Sequence, residues 1–262
     1  MSSSAPSRTG YAPVHGLQLY YEVHGTARPG EPPLVLLHGG GDTIETSLGS
    51  LLPELARHRQ VIAFEQQGFG HTADIPDRPF DFEQSADDTV ALLDQLHVDR
   101  ADLLGFSNGG TIALQVAIRH PQRVRRLVVA SAFFAREGGE PAFWEMFEHA
   151  QLTDMPEELR RAYLETAPHP ENLQSFFDKC VQRMREFRDI PRDALRGITA
   201  PALVVCGDAD VVRPEHAVET FRLLPRAELA LLPGTDHAEL MKRTGWLVPM
   251  IEGFLDSPAA AE

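Results

Sequence analysis

The sequence Gly105-Phe106-Ser107-Asn108-Gly109-Gly110 follows an apolar run at 101–104 and precedes a helical pattern at 111–118. A strand that leads through a glycine-flanked serine into a helix forms a G-x-S-x-G turn, because small neighbours let the chain bend sharply and expose the hydroxyl. The alternative is a glycine-rich strand-to-helix connector with a surface serine. The stretch therefore predicts a nucleophilic serine, Ser107, at a strand-to-helix turn.

Apolar runs alternate with helical patterns along most of the chain. Residues 16–25 alternate like a strand with one polar face and begin a predicted hairpin, and residues 34–37 are apolar throughout, as in a strand buried on both faces. Further strands are predicted at 61–64, 101–104, 127–130, 202–206 and 229–232, and helices at 47–58 and 82–97. Strands separated by helices imply an α/β fold with a mostly parallel central sheet covered on both sides.

The alternation stops between Phe133 and Thr199, where helical patterns follow one another without a strand pattern. These patterns cover 141–151, 156–167, 170–187 and 191–196, and each begins with a proline, which the first turn of a helix tolerates. We predict an all-helical cap at 134–199, inserted into a core made of residues 1–133 and 200–262.

Aromatic side chains are concentrated in and next to this predicted cap. Residues 133–199 hold seven of the 14 phenylalanines of the chain. We expect most of these aromatics to pack the cap onto the core, and the rest to line an apolar binding cavity between the two. The candidate pocket residues are Phe106, Phe133, Phe134, Phe143, Trp144 and Phe147.

A nucleophilic serine needs a base and an acid that orients the base. His237 follows the last predicted strand, in a loop that can bend over the carboxyl edge of the sheet; the alternative is a solvated loop histidine. Asp208 and Asp210 both follow the strand that ends at Cys206. We favour Asp210 because it lies nearer the middle of the loop, and expect Asp208 to stabilise the loop as a hydrogen-bond acceptor. The order Ser107, Asp210, His237 is the Ser-acid-His order of hydrolases with this turn.

A second glycine-rich segment, His38-Gly39-Gly40-Gly41-Asp42, follows the predicted strand at 34–37. Successive glycines leave backbone N–H groups free to approach a ligand oxygen, as one side of an oxyanion hole requires. An ordinary flexible loop is the alternative. A phosphate loop is disfavoured because no Gly-Lys-Ser/Thr sequence follows.

Four motifs, in order along nearly the whole chain, make the sequence resemble the α/β-hydrolase family in its cap-bearing, esterase-like branch. They are His38-Gly39-Gly40 with Gly41, the stretch Gly105 to Gly110, Gly207-Asp208-Ala209-Asp210 with Pro214, and Pro233-Gly234 with His237. The segment Glu65-Gln66-Gln67-Gly68-Phe69-Gly70 resembles the Asp-x-Arg-Gly-x-Gly loop of the family but lacks its Asp and its Arg. That departure concerns the support of the loop more than the chemistry.

The resemblance implies an α/β-hydrolase fold in which Ser107 is the nucleophile, Asp210 the acid and His237 the base. It also implies an oxyanion hole formed by the backbone N–H groups of Gly40 and Asn108. A serine stands where dehalogenases and epoxide hydrolases of the fold carry aspartate, which disfavours those two activities. No metal or organic cofactor is expected, because the histidines show no H-E-x-x-H or similar ligand spacing.

The expected reaction is acyl transfer to water, by a serine hydrolase that cleaves a small, rather apolar carboxylic ester through an acyl-enzyme. A lactonase would use the same groups, and C–C bond hydrolysis or cofactor-free perhydrolysis could also run on this triad. The alternative from another class is a ligand-binding receptor of the same fold with little turnover. The filled triad positions count against it.

Composition limits the partners and the compartment. The net charge of −14 argues against nucleic acid or an anionic membrane surface as partner, although solubility alone accounts for it. The N-terminal residues lack a signal pattern and no apolar run is long enough to span a membrane, so we expect a cytoplasmic protein. Cys206 lies in an apolar run and is expected to be a buried thiol rather than half of a disulfide. Residues 258–262 are predicted to be a loose tail, and the oligomeric state is left open.

Overall fold

An eight-stranded sheet forms the centre of the computed structural model over residues 5–258, the part of the chain that the structure describes. The predicted tail at 258–262 lies outside this range except for Pro258. The strands are β1 (Arg8–Val14), β2 (Leu17–His24), β3 (Leu34–Leu37), β4 (Val61–Phe64), β5 (Ala101–Phe106), β6 (Val124–Ala130), β7 (Ala202–Gly207) and β8 (Ala227–Leu232). Their order across the sheet is β1-β2-β4-β3-β5-β6-β7-β8. The β1–β2 and β2–β4 pairs are antiparallel and all others parallel, which confirms the predicted mostly parallel sheet.

Helices cover both faces of the sheet, because side chains that alternate along each strand form two separate cores. The helices are α1 (Ile44–Leu48), α2 (Leu52–Leu55), α3 (Phe82–Gln95), α4 (Asn108–Arg119), α5 (Pro141–His149), α6 (Glu157–Thr166), α7 (Leu173–Arg185), α8 (Arg192–Arg196), α9 (Pro214–Leu223) and α10 (Thr244–Asp256). In β3, Leu34 and Leu36 belong to the core that includes α1, α2 and α10, whereas Val35 and Leu37 belong to the core that includes α3, α4 and α9.

Two local predictions differ from the structure. The single helix expected at 47–58 is divided into α1 and α2, because Gly49 ends α1 and Pro53, which has no N–H to continue a helix, lies in the first turn of α2. The partner of β2 in the N-terminal hairpin, β1, was not predicted. Gly10 and Pro13 weaken its strand pattern, and Pro13 is tolerated because β1 lies at the edge of the sheet.

The segment between β6 and β7 contains α5 to α8, and we call it the helical insertion (residues 134–199). Its helices begin within three residues of the four predicted starts; Pro170 opens a short 3-10 turn ahead of α7. None of the helices among residues 5–258 is both long enough and apolar enough to cross a bilayer.

Five of the six candidate pocket residues pack together between the insertion and the sheet, and none of the five lines the cavity at Ser107. They are Phe133, Phe134, Phe143, Trp144 and Phe147. The ring of Phe133 lies 5.0 Å from that of Trp144, and Phe134 stacks at 4.2 Å on His216 of α9. These aromatic contacts fasten α5 and the end of β6 to α9.

Candidate active site

The backbone at Ser107 is strained, and its neighbours must be glycines. Ser107 has φ of 53° and ψ of −121°, a backbone conformation that residues other than glycine rarely adopt. A β-carbon at Gly105 would lie 2.2 Å from the carbonyl oxygen of Gly109, and one at Gly109 would lie 2.2 Å from that of Leu37. The motif is therefore glycine-rich because β5, α4 and β3 approach each other so closely that no side chain fits between them.

The structure brings Ser107, Asp210 and His237 together, although they are far apart in sequence. The Ser107 hydroxyl lies 3.0 Å from Nε2 of His237, and Nδ1 of the same ring lies 2.8 Å from Oδ1 of Asp210. An ionised carboxylate only accepts hydrogen bonds, so Nδ1 carries the hydrogen and Nε2 turns its lone pair toward Ser107. This is the geometry that removal of the hydroxyl proton needs.

Asp210 is buried and held by donors besides His237. Burial alone would raise the pKa of its carboxyl, but the hydrogen bond and charge of His237, with the hydroxyl of Ser131 and the N–H of Val212, outweigh burial and keep the pKa below its usual value. Asp208 is exposed and accepts a hydrogen bond from the Thr235 N–H at 3.2 Å, as expected of a loop-stabilising residue. Of the two aspartates, only Asp210 contacts His237.

Ser131 was missed by sequence reasoning. It follows the last residue of β6, at the same edge of the sheet as Ser107, and has a positive φ of 46°. A small polar residue directly after a central parallel strand is a signal that could have identified it, because the carboxyl ends of such strands meet where ligands bind.

Two backbone N–H groups next to Ser107 have no acceptor within the described part of the chain. Asn108 is the first residue of α4, and the first N–H groups of a helix have no intrahelical acceptor. Within residues 5–258 the N–H of Gly40 also has no hydrogen-bond acceptor. The two residues are adjacent, because a β-carbon on Gly40 would lie 2.3 Å from Nδ2 of Asn108. Gly40 and Ser107 both line the same cavity.

The loop at 65–70 supports the glycine segment. Glu65 is buried and accepts from the backbone N–H of His71 at 2.6 Å and from its ring Nδ1 at 2.9 Å. Gln66 holds His38 twice: its N–H donates to His38 Nε2 at 3.1 Å, and its side-chain amide donates to the His38 carbonyl at 3.2 Å. Burial lowers the pKa of His38 to about 4, so the ring is neutral and can accept this bond.

A groove with a volume of about 1330 Å³ opens onto the hydroxyl of Ser107. Phe106 is the one predicted pocket residue that lines it, with its ring 4.9 Å from that of His237. The groove is also lined by Leu159 and Ala162 of α6 and by Met241, none of which the sequence singled out. The orientation of α6 over the glycine segment decides these contacts, and a sequence pattern does not give that orientation.

The groove is also lined by charged side chains. Asp42 lies beside the glycine segment, and burial, partly offset by a hydrogen bond from Thr46, raises the pKa of its carboxyl to about 6. Glu45, Glu158 and Arg161 also line the groove. Among residues 5–258, no group of three or more His, Cys, Asp or Glu side chains is arranged to hold a metal ion.

Sequence comparison identifies related proteins over most of the chain. The model of the alpha/beta hydrolase fold family matches residues 32–179. The 2-hydroxymuconate semialdehyde hydrolase of Pseudomonas sp. (strain CF600) is 31% identical over 251 residues, which cover 87% of this chain and 88% of that protein. The human serine hydrolase BPHL is 30% identical over 254 residues, covering 92% of this chain and 84% of that protein.

Comparison of structures gives the same architecture. A meta-cleavage product hydrolase (CumD) from Pseudomonas fluorescens IP01 superimposes with a TM-score of 0.80 over 96% of this chain and 98% of that one. At 20% sequence identity, this likeness concerns the fold alone.

Proposed function

The chain belongs to the α/β-hydrolase family, and we propose that it is a serine hydrolase in which Ser107 attacks the carbonyl carbon of a small substrate. The observation that carries this proposal is the chain of hydrogen bonds from the Ser107 hydroxyl through His237 to Asp210, at 3.0 Å and 2.8 Å. A surface serine of a receptor would not require a strained backbone, an oriented imidazole and a buried carboxylate in line.

The proposed reaction has two halves. Ser107 Oγ forms a bond to the carbonyl carbon while its proton passes to His237 Nε2 and the carbonyl π electrons move onto oxygen. The N–H groups of Gly40 and Asn108 donate to that oxyanion, and Asp210 stabilises the imidazolium. The imidazolium then protonates the leaving group as its bond to carbon breaks. A water molecule attacks the resulting acyl-enzyme by the same proton transfers and releases the acid.

The first candidate substrate is a small, rather apolar carboxylic ester. The groove beside Ser107 presents Phe106, Leu159 and Met241, whose side chains favour uncharged acyl or alcohol groups. A lactone presents the same carbonyl and leaving oxygen within one ring, so it uses the same catalytic groups.

Hydrolysis of a C–C bond is the second candidate, and sequence similarity favours it. The 31% identical relative is named as a 2-hydroxymuconate semialdehyde hydrolase, and the triad order is compatible with such chemistry. In that reaction the leaving group is carbon, which must hold the bonding electron pair as an enol or enolate until it is protonated.

Labelling of Ser107 tests the proposal most directly. A fluorophosphonate should modify the protein with one-to-one stoichiometry at Ser107 and abolish hydrolysis of p-nitrophenyl acetate. Ser107→Ala should escape labelling and lose roughly four to six orders of magnitude in kcat. An unlabelled wild-type protein that turns over no ester, lactone or oxo acid would instead support the receptor interpretation.

A substrate panel separates the candidates. Rates should be compared across p-nitrophenyl esters of increasing acyl length, a matched set of lactones and a vinylogous 1,5-dioxo acid. A preference of at least 100-fold in kcat/KM for one series would assign the bond that is cleaved. Added hydrogen peroxide would reveal perhydrolysis as peracid formation.

A further inference from the structure

The helical insertion places a buried cation directly behind the glycine segment. Arg183 lies in α7 and is only 5% exposed. Its Nη2 is 3.6 Å from the position that a β-carbon would take on Gly40, whose N–H is assigned above to the oxyanion. Its charge is also felt by the neighbouring His38, where it acts to lower the pKa of the ring.

The charge of Arg183 is not neutralised by a carboxylate. Within residues 5–258 its Nε and Nη2 have no hydrogen-bond partner, and its Nη1 reaches only the amide oxygen of Gln66, at 3.5 Å. The guanidinium lies 5.2 to 5.7 Å from the ring centres of Phe69, Phe80 and Phe82. Aromatic faces hold a guanidinium in place, but they do not remove the cost of taking an unpaired charge out of water.

An uncompensated cation is well placed to interact with negative charge that appears only during the reaction. When Ser107 Oγ bonds to the carbonyl carbon, the π electrons move to an oxygen at Gly40 and Asn108, and the proton goes to His237. The guanidinium of Arg183 then lies beside Gly40 without lining the groove. Because the guanidinium is buried beside aromatic rings, water screens its field weakly.

We infer that Arg183 is a positioning residue whose buried charge stabilises the transition-state oxyanion from behind the oxyanion hole, without touching the substrate. It acts through space and through Gln66, which links its guanidinium to the carbonyl of His38. This inference deepens the proposed function and rests on it. At an effective dielectric constant of about 20, the Coulomb attraction between the guanidinium and the oxyanion corresponds to a rate increase of roughly 10- to 100-fold.

The purely structural alternative is that Arg183 only fastens α7 to the loops beneath it. Lys179, one helical turn earlier, provides a matched control for that role. Its ammonium bonds to Asp74 at 2.6 Å, to the carbonyls of Ile75 and Arg78, and lies 5.4 Å from the ring centre of Phe80. Lys179 thus also fastens α7, but it does not approach Gly40.

The test compares a trifluoromethyl ketone, which forms an anionic adduct with a nucleophilic serine, with the matched methyl ketone, which does not ionise in this way. In Arg183→Met, we expect kcat/KM for p-nitrophenyl acetate and the affinity for the trifluoromethyl ketone to fall together by roughly 10- to 100-fold. KM and methyl ketone affinity should change less than about 3-fold. Arg183→Lys, which keeps a cation, should recover part of the loss. Lys179→Met should lower thermal stability but leave the affinity for the trifluoromethyl ketone unchanged.

Other outcomes overturn the inference. If Arg183→Met loses affinity for both ketones equally, or if Lys179→Met loses as much affinity for the trifluoromethyl ketone, the role of Arg183 is structural. If the affinity of Arg183→Met for the trifluoromethyl ketone is unchanged, Arg183 does not stabilise the oxyanion. If Arg183→Met does not fold, Arg183→Gln supplies a second neutral side chain. A wild-type protein that neither reacts with a fluorophosphonate nor binds the trifluoromethyl ketone would refute the proposed function itself, independently of Arg183.

Discussion

The two walls of the groove are built by different means. On the sheet side, the loops after β3, β5, β7 and β8 carry Gly40, Ser107, Asp210 and His237, and main-chain geometry fixes their positions. On the other side, α6 of the helical insertion supplies Leu159, and the insertion is held by side-chain packing. We therefore expect substitutions on the sheet side to lower catalytic activity strongly. Substitutions in the insertion should mainly change the shape of the groove.

Among substitutions that keep the nucleophile Ser107, the largest expected effect concerns the carboxylate on the sheet side. Asp210→Asn should lower kcat/KM by roughly 10⁴-fold, the size found when the orienting carboxylate of a Ser-His-Asp triad is neutralised. The amide oxygen cannot hold the imidazolium as an ionised carboxylate does. Steady-state kinetics on p-nitrophenyl acetate would measure the loss.

Asp208→Asn is the control for Asp210→Asn, because Asp208 lies two residues away and is exposed, and the one described hydrogen bond of its side chain is that from the Thr235 N–H. It should change kcat/KM less than about 3-fold. Equal losses in both variants would mean that the loop, rather than the contact with His237, matters for activity.

The contrast between the walls also explains what the sequence could predict. The parallel sheet, Ser107 and the proximity of Asp210 and His237 are readable because glycines and strand ends restrict the backbone to few arrangements. Phe133 and its four aromatic neighbours do not line the groove, because an amphipathic pattern gives the buried face of a helix but not the element that covers it. Arg183 escaped notice for the same reason, since its burial depends on how α7 packs against distant loops.

The next largest effect is expected in the aromatic core between the insertion and the sheet. Trp144→Ala should lower the free energy of unfolding by about 3 to 5 kcal/mol, because the indole packs between Phe133 and Phe143 and leaves a cavity. Where the protein remains folded, kcat/KM should change less than about 3-fold, since Trp144 does not line the groove. Urea unfolding and steady-state kinetics on the same preparation test both parts. A loss of activity above tenfold without a loss of stability would indicate that Trp144 contacts the substrate.

A smaller effect is expected from the histidine that joins the insertion to α9. His216 is buried, accepts a hydrogen bond from the Phe134 N–H at 3.1 Å, and has its pKa lowered by burial to about 4. Below a pH of about 6.5 the unfolded chain therefore binds a proton that the folded protein excludes. The free energy of unfolding should fall between pH 6.5 and pH 4, by up to about 3 kcal/mol from His216 alone.

Substitution of His216 isolates this contribution from that of His38, which is buried and neutral in the same way. His216→Gln should make the acid-induced loss of stability between pH 6.5 and pH 4 smaller by about 3 kcal/mol, whereas His58→Gln, at an exposed site, should leave it unchanged. Urea unfolding at a series of pH values measures the difference. An unaltered pH dependence in His216→Gln would show that the ring is not kept neutral by the fold.

The smallest effect is expected where the insertion meets the substrate. Leu159 faces the glycine segment, with Cδ1 3.2 Å from the position of a β-carbon on Gly41, so Leu159→Ala should lengthen the groove beside Ser107. The ratio of kcat/KM for the p-nitrophenyl ester of hexanoate to that of acetate should rise by roughly 3- to 10-fold. The effect is small because an apolar pocket discriminates only weakly between substrates that differ by a few methylene groups. Leu164→Ala, on the exposed side of α6, is the matched control and should leave the ratio unchanged. If both variants shift the ratio equally, the length of the groove is set by the position of α6 as a whole rather than by the side chain of Leu159.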